Sequence, residues 1–99
     1  MIVLMGYLHL DPAHVAAFMA DVQAVGADTR AEPGCLFYGI AVDDAPAGRM
    51  LLAQRWQDQA ALGAHLDAPA TKAFRARWTD KLTMDIQEYA VSTPRSMLV

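Results

Sequence analysis

RMLLAQRWQDQAALGAHLDAPATKAFRARW, residues 49–78, is the stretch whose reading decides the fold. It opens with an apolar run, Met50 to Ala53, that ends in Gln54-Arg55-Trp56 and turns at Gln57-Asp58. A short helical pattern carrying His65 follows. Asp67-Ala68-Pro69 breaks it, because proline cannot continue the helix before it but opens the next one well. The second helical piece carries Phe74 and Trp78. The order is therefore strand, aromatic stop, helix with one histidine, proline break, helix.

Working outward, the chain is one domain spanning residues 1–99. Hydrophobic residues make up 55% of it and charged residues only 19%, against about 45–50% apolar in ordinary globular chains. A domain this small buries only about two-thirds of its unfolded surface. Surplus apolar surface on such a domain is commonly covered by a second copy, so a homodimer is expected. The net charge is −3 with scattered Lys and Arg, which excludes the basic stripe of a nucleic-acid binder. Cys35 stands alone, so no internal disulfide forms and a reducing cytoplasm is expected. Met1–Leu8 is too short to span a bilayer and lacks the basic start of a signal peptide; no membrane partner is expected.

Residues 2–10, IVLMGYLHL, are apolar on both alternating faces, as a strand covered on both sides requires. Asp11-Pro12 starts a helix, an acceptor at the cap and proline in the first turn. Val15, Phe18, Val22 and Val25 recur at three and four and form one buried stripe. Glu32-Pro33-Gly34 ends that unit. Residues 35–42 form a second strand, again apolar on both faces, and the turn-rich 43–48 joins it to the strand 50–56 as a hairpin. Helices follow over 58–66 and 69–80, and a half-exposed strand over 82–89 alternates Leu82, Met84 and Ile86 with Thr83, Asp85 and Gln87. The tail 92–99 shows no periodicity and is read as extended. The order βαββαβ, with its second helix split, is a ferredoxin-like α+β fold.

The strand ending in Trp56, the Ala64-His65-Leu66 helix, the helix opened by Pro69 and the Glu32-Pro33-Gly34-Cys35 entry to the second strand together resemble the antibiotic biosynthesis monooxygenase family. The resemblance implies two such sheets packed face to face in a dimeric α+β barrel. It also implies a cofactor-independent monooxygenase that oxidises a small aromatic phenol, quinol or anthrone with dioxygen. One branch of the family degrades haem through an asparagine, a tryptophan and a histidine. Those roles fall near Tyr7, His65 and Arg75, none of which matches, so haem is not expected.

His65 leads the candidates, since imidazole titrates near neutrality and serves as a general base; the plain alternative is a half-buried histidine bonded to a backbone carbonyl. Tyr7 and Arg55 are the candidates to steady a developing anion. Arg55 leaves the opposite strand face from Trp56, where pairing with solvent or Asp58 is the commoner fate. Trp56, Phe74, Tyr38, His9 and Trp78 are the candidate substrate-binding residues; for Trp56, Phe74 and Trp78 the competing reading is core packing. His9 and His14 are separated by a strand-to-helix turn and no carboxylate cluster has ligand spacing, so no metal is expected. Glycine motifs for phosphate are absent, and no nucleotide cofactor is expected. The rival function is a non-catalytic, stress-related barrel that holds an apolar small molecule; a small isomerase or cyclase is a third.

Overall fold

Asp11 begins the first crossover by accepting from the Ala13 amide at 2.9 Å. In the computed structural model the Asp-Pro signal produces a single 3-10 turn, Pro12–His14, before the α-helix proper. That helix, α1, runs Val15–Arg30 and buries Val15, Phe18, Val22, Gly26 and Thr29. The stripe read from the sequence holds, and beyond Val22 it is carried by Gly26 and Thr29, with Val25 half-buried. The structure describes residues 1–92 and 94–98; the extended tail expected over 92–99 lies partly outside the described residues.

The remaining elements are β1 Ile2–His9, β2 Cys35–Asp44, β3 Arg49–Trp56, α2 Gln59–Asp67, α3 Pro69–Trp78 and β4 Thr83–Ala90. The four strands form one sheet ordered β2-β3-β1-β4, every neighbouring pair antiparallel. Both crossovers skip one strand, which is the ferredoxin-like split βαβ arrangement. The second helix is divided as expected: Asp58 caps α2 by accepting from the Ala61 amide at 2.8 Å, and Pro69 stands at the start of α3. α3 stops at Trp78, two residues short of the expected end.

The helices lie on one sheet face only. Ile2, Leu8, Met50, Leu52 and Trp56 point to that face and are buried with Val15, Phe18, Val22, Leu62 and Trp78. Phe18 anchors the layer, with the Trp78 ring edge-on at 5.1 Å and Phe74 at 5.5 Å, the geometry that aromatic quadrupoles favour. On the other face Met5, Phe37 and Tyr89 remain about half exposed, at 52%, 48% and 48%. Among the described residues nothing supplies the second cover that the strand pattern demands. Among the described residues no helix is long and apolar enough to cross a membrane.

Candidate functional site

The register sorts the candidate residues. Strand side chains alternate between faces, and Gln54 pairs with Tyr38 on β2 while Leu52 pairs with Ile40. Tyr38, Ile40, Leu52 and Gln54 therefore face the helices and floor a cavity of about 510 Å³ roofed by α2 and α3. Small-molecule sites typically measure about 300–1,000 Å³.

His65 is carried inward by α2 and is 6% exposed. Its Nδ1 lies 2.9 Å from Glu32 Oε2 and 3.4 Å from Thr71 Oγ1. Its ring stacks on Trp56 with centroids 4.6 Å apart and planes 29° from parallel. Trp56 is itself fixed, its indole N–H donating to Gln54 Oε1 at 3.0 Å. A carboxylate at Nδ1 selects the tautomer with the proton on that nitrogen and leaves Nε2 as an acceptor. Among the described residues Nε2 has no hydrogen-bond partner, and it is not sealed from the cavity. Of the readings open for this histidine, the backbone-carbonyl partner is replaced by a carboxylate 33 residues away in sequence.

Glu32 reaches His65 because of the turn that follows α1. Gly34 adopts φ 82°, a left-handed conformation that glycine accepts freely. A side chain there would meet the Ala61 Cβ at 2.5 Å, so the turn packs directly on α2. The Gly34 carbonyl also accepts from the Gln57 amide at 2.8 Å. Together these contacts hold the Glu32 carboxylate beside the helix that carries His65.

Tyr38 lines the cavity with its ring centroid 6.4 Å from that of His65. Burial pushes its phenol up from the usual value, so it stays protonated and acts as a donor near neutral pH. The Cys35 thiol is likewise pushed up by burial, then by the Glu32 charge, which keeps it protonated. Phe74 and Trp78 are cavity wall and core at once. Trp56 lies one layer behind the lining, against His65 and bonded to Gln54.

Tyr7, His9 and Arg55 are not brought to His65. All three leave from the open sheet face, where Arg49 sits over the Tyr7 ring at 5.2 Å and Arg55 over the Phe37 ring at 5.7 Å. Within one chain the sheet itself separates them from the cavity. Glu32, Gln54 and Thr71 are the site residues that sequence reasoning passed over. Among the described residues no three His, Cys, Asp or Glu side chains converge as a metal site.

The family model for antibiotic biosynthesis monooxygenase matches residues 1–77. This chain belongs to that family. The match includes Glu32, His65 and Trp56 and stops just before Trp78 and β4. Among solved structures, a candidate antibiotic biosynthesis monooxygenase from Deinococcus radiodurans is similar with a TM-score of 0.85 and 23% identity, covering 99% of each chain. Rv0793 from Mycobacterium tuberculosis is 26% identical with a TM-score of 0.81, covering 96% of this chain and 98% of its own. A further candidate member from Caulobacter crescentus is 24% identical, TM-score 0.80, with 92% and 90% covered. Among curated proteins none matches the sequence. These likenesses agree with the fold and leave the substrate open.

Proposed function

We propose that this chain is a cofactor-independent monooxygenase acting on a small electron-rich aromatic, a phenol, quinol or anthrone. The observation that carries the reading is the Glu32–His65 pair on the wall of an apolar cavity. Ground-state dioxygen is a triplet, so the substrate must supply the first electron, and it does so only as an anion. His65 Nε2 removes a proton from the substrate, and Glu32 stabilises the imidazolium that results. The Tyr38 hydroxyl and the Gln54 amide N–H groups, unpartnered among the described residues, donate to the oxyanion in a mostly apolar site. For an anthrone-like substrate, the anion passes one electron to dioxygen and the radical pair closes a carbon–oxygen bond. The peroxide then loses the second C–H proton as its O–O bond breaks. The CH₂ group becomes C=O and the other oxygen leaves as water, with the His65 proton, so atoms and electrons balance. Phe74 and Trp78 shape the cavity, and Trp56 fixes the base from behind.

The open sheet face is covered by a second copy of the chain in this reading. Met5, Tyr7, Phe37, Leu51 and Tyr89 lie on it across all four strands, and exposed apolar patches of this kind mark interaction surfaces. The single half-buried cysteine suits a reducing compartment such as the cytoplasm.

Oxygen uptake with a panel of anthrones and hydroquinones tests the reaction. One dioxygen is expected per substrate oxidised, and His65→Ala should lower the rate by about 10²–10⁴-fold. Full activity in His65→Ala, or no uptake across the panel, overturns the reading. A tightly bound aromatic without uptake would make the chain a binding protein, and anaerobic conversion would make it an isomerase or cyclase.

A further inference from the structure

Among the described residues one side chain on the cavity wall carries a fixed charge, Arg75. It is exposed on α3, where the wall meets solvent. Its surroundings differ from those of the other arginines on the helices and strands; Arg95, in the C-terminal segment, does not line the cavity. Arg30 donates to the Tyr38 carbonyl, Arg49 to Asp43 and Arg77 to Asp21, and Arg55 lies over Phe37. The Arg75 guanidinium has no such partner among the described residues.

The helix fixes where that charge stands relative to the base. Thr71, Phe74, Arg75 and Trp78 share one face of α3 at spacings of three, four and seven. Thr71 touches His65, and four residues along a helix advance about 6 Å. Arg75 therefore springs from a point one turn along α3 from the residue that touches the imidazole, and its exposed side chain stands at the rim of the cavity. Apolar walls concentrate the field of a rim charge along the opening. A neutral ligand filling the mouth strips water from the guanidinium and gives nothing back. A carboxylate in the same place makes a charge-assisted pair that the planar fork can hold with two hydrogen bonds.

We propose that Arg75 is a specificity residue selecting aromatic ligands that bear a carboxylate arm, placed at the mouth about one helical turn from the edge that meets His65. The proposal rests on the aromatic-ligand reading above, but its test needs no turnover.

The experiment compares binding of two unreactive probes, anthraquinone and anthraquinone-2-carboxylate, to the full chain by quenching of tryptophan fluorescence. The carboxylate is expected to bind on the order of tenfold tighter at low salt. Salt should erode the preference as it screens an exposed pair. In Arg75→Gln the two probes should bind within about twofold of each other, with affinity for the neutral probe unchanged. Arg75→Lys should keep part of the preference, since charge remains and the fork is lost. Equal affinities in the native chain, or a preference that survives Arg75→Gln, overturn the assignment to Arg75 and leave the aromatic-ligand reading standing. If neither probe binds, both fall.

Discussion

A histidine between a carboxylate and an open cavity works as a base only if the carboxylate dictates its tautomer. Glu32 lies at 2.9 Å from Nδ1, while the Thr71 hydroxyl at 3.4 Å is a weaker competitor. Glu32→Gln keeps the shape but can present an amide N–H to Nδ1, which moves the ring proton to Nε2 and disables the acceptor. Nitrogen-15 NMR of the His65 ring should show the Nδ1–H tautomer in the native chain and a substantial Nε2–H population in Glu32→Gln. The oxygen-uptake kcat should fall by about 10²-fold with KM little changed, because the ring stays stacked on Trp56. An unaltered tautomer and rate would reduce Glu32 to a structural contact. His65 was legible in the sequence as a polar residue on a helix otherwise short of acid–base groups. Glu32 was not: its Pro33-Gly34 context already explained it as the end of a helix, and no local pattern links residues 33 apart. Gln54 left a signal that went unused, an amide in the alternation Met50, Leu52, Gln54, Trp56 where a buried face wants apolar side chains. Tyr7 and Arg55 show the limit of alternation. It assigns residues to opposite faces, but when both faces are apolar it does not say which one the helices take.

At the scale of elements, the cavity depends on α3 holding its place against α1. Asp21 on α1 accepts from Arg77 Nε and Nη2 at 2.8 and 2.9 Å and from the Trp78 indole at 2.8 Å. The Arg77 hydrogen bond holds the Asp21 carboxyl below its ordinary value, against the opposing effect of partial burial, with Trp78 helping. A carboxylate so depressed contributes stability above its unfolded value, and that contribution is lost as pH falls through the lower folded value. Asp21→Asn should therefore cost about 1–2 kcal/mol at neutral pH, discounted for the half-exposed arginine. In urea melts the gap between Asp21→Asn and the native chain should hold from about pH 7 to 5 and close as pH falls below about 4. A gap independent of pH would mean that the carboxylate charge is not what joins the helices. Gly34 positions a second boundary. Gly34→Ala forces an alanine into a left-handed backbone and against Ala61, and should destabilise by more than about 1 kcal/mol. It should also disturb the Glu32–His65 contact, visible as a shifted His65 ring signal. The helices were readable because their bounds were marked, by proline at 33 and 69 and caps at 11 and 58, and the strands because short apolar runs lay between turn residues. The first helix began late because Asp11-Pro12 stabilises a 3-10 turn as readily as an α-helical one.

For the whole molecule, the sheet separates two surfaces that do different work. The helix-covered face holds the cavity, while among the described residues the open face is apolar without a cover. If a second copy covers that face, the native chain should sediment at twice its own mass at micromolar concentration. Leu51 is 44% exposed on this face, opposite Tyr7 on β1, so it can be changed without touching the helix-side core. In such a dimer Leu51→Glu would set a carboxylate of each copy into an apolar seam, where the cost of desolvation opposes assembly. The variant should sediment as a monomer with an unchanged far-UV spectrum. It should also melt at a lower temperature, since the copy that stabilised the folded state by mass action is gone. Because no described residue of the open face lines the cavity, aromatic binding should survive dissociation within a few-fold at low temperature. A native chain that is already monomeric defeats the dimer. A monomeric Leu51→Glu that folds but binds nothing would instead mean that the partner completes the site across the sheet. Tyr7, His9 and Arg55 would then become candidates for the partner's contribution.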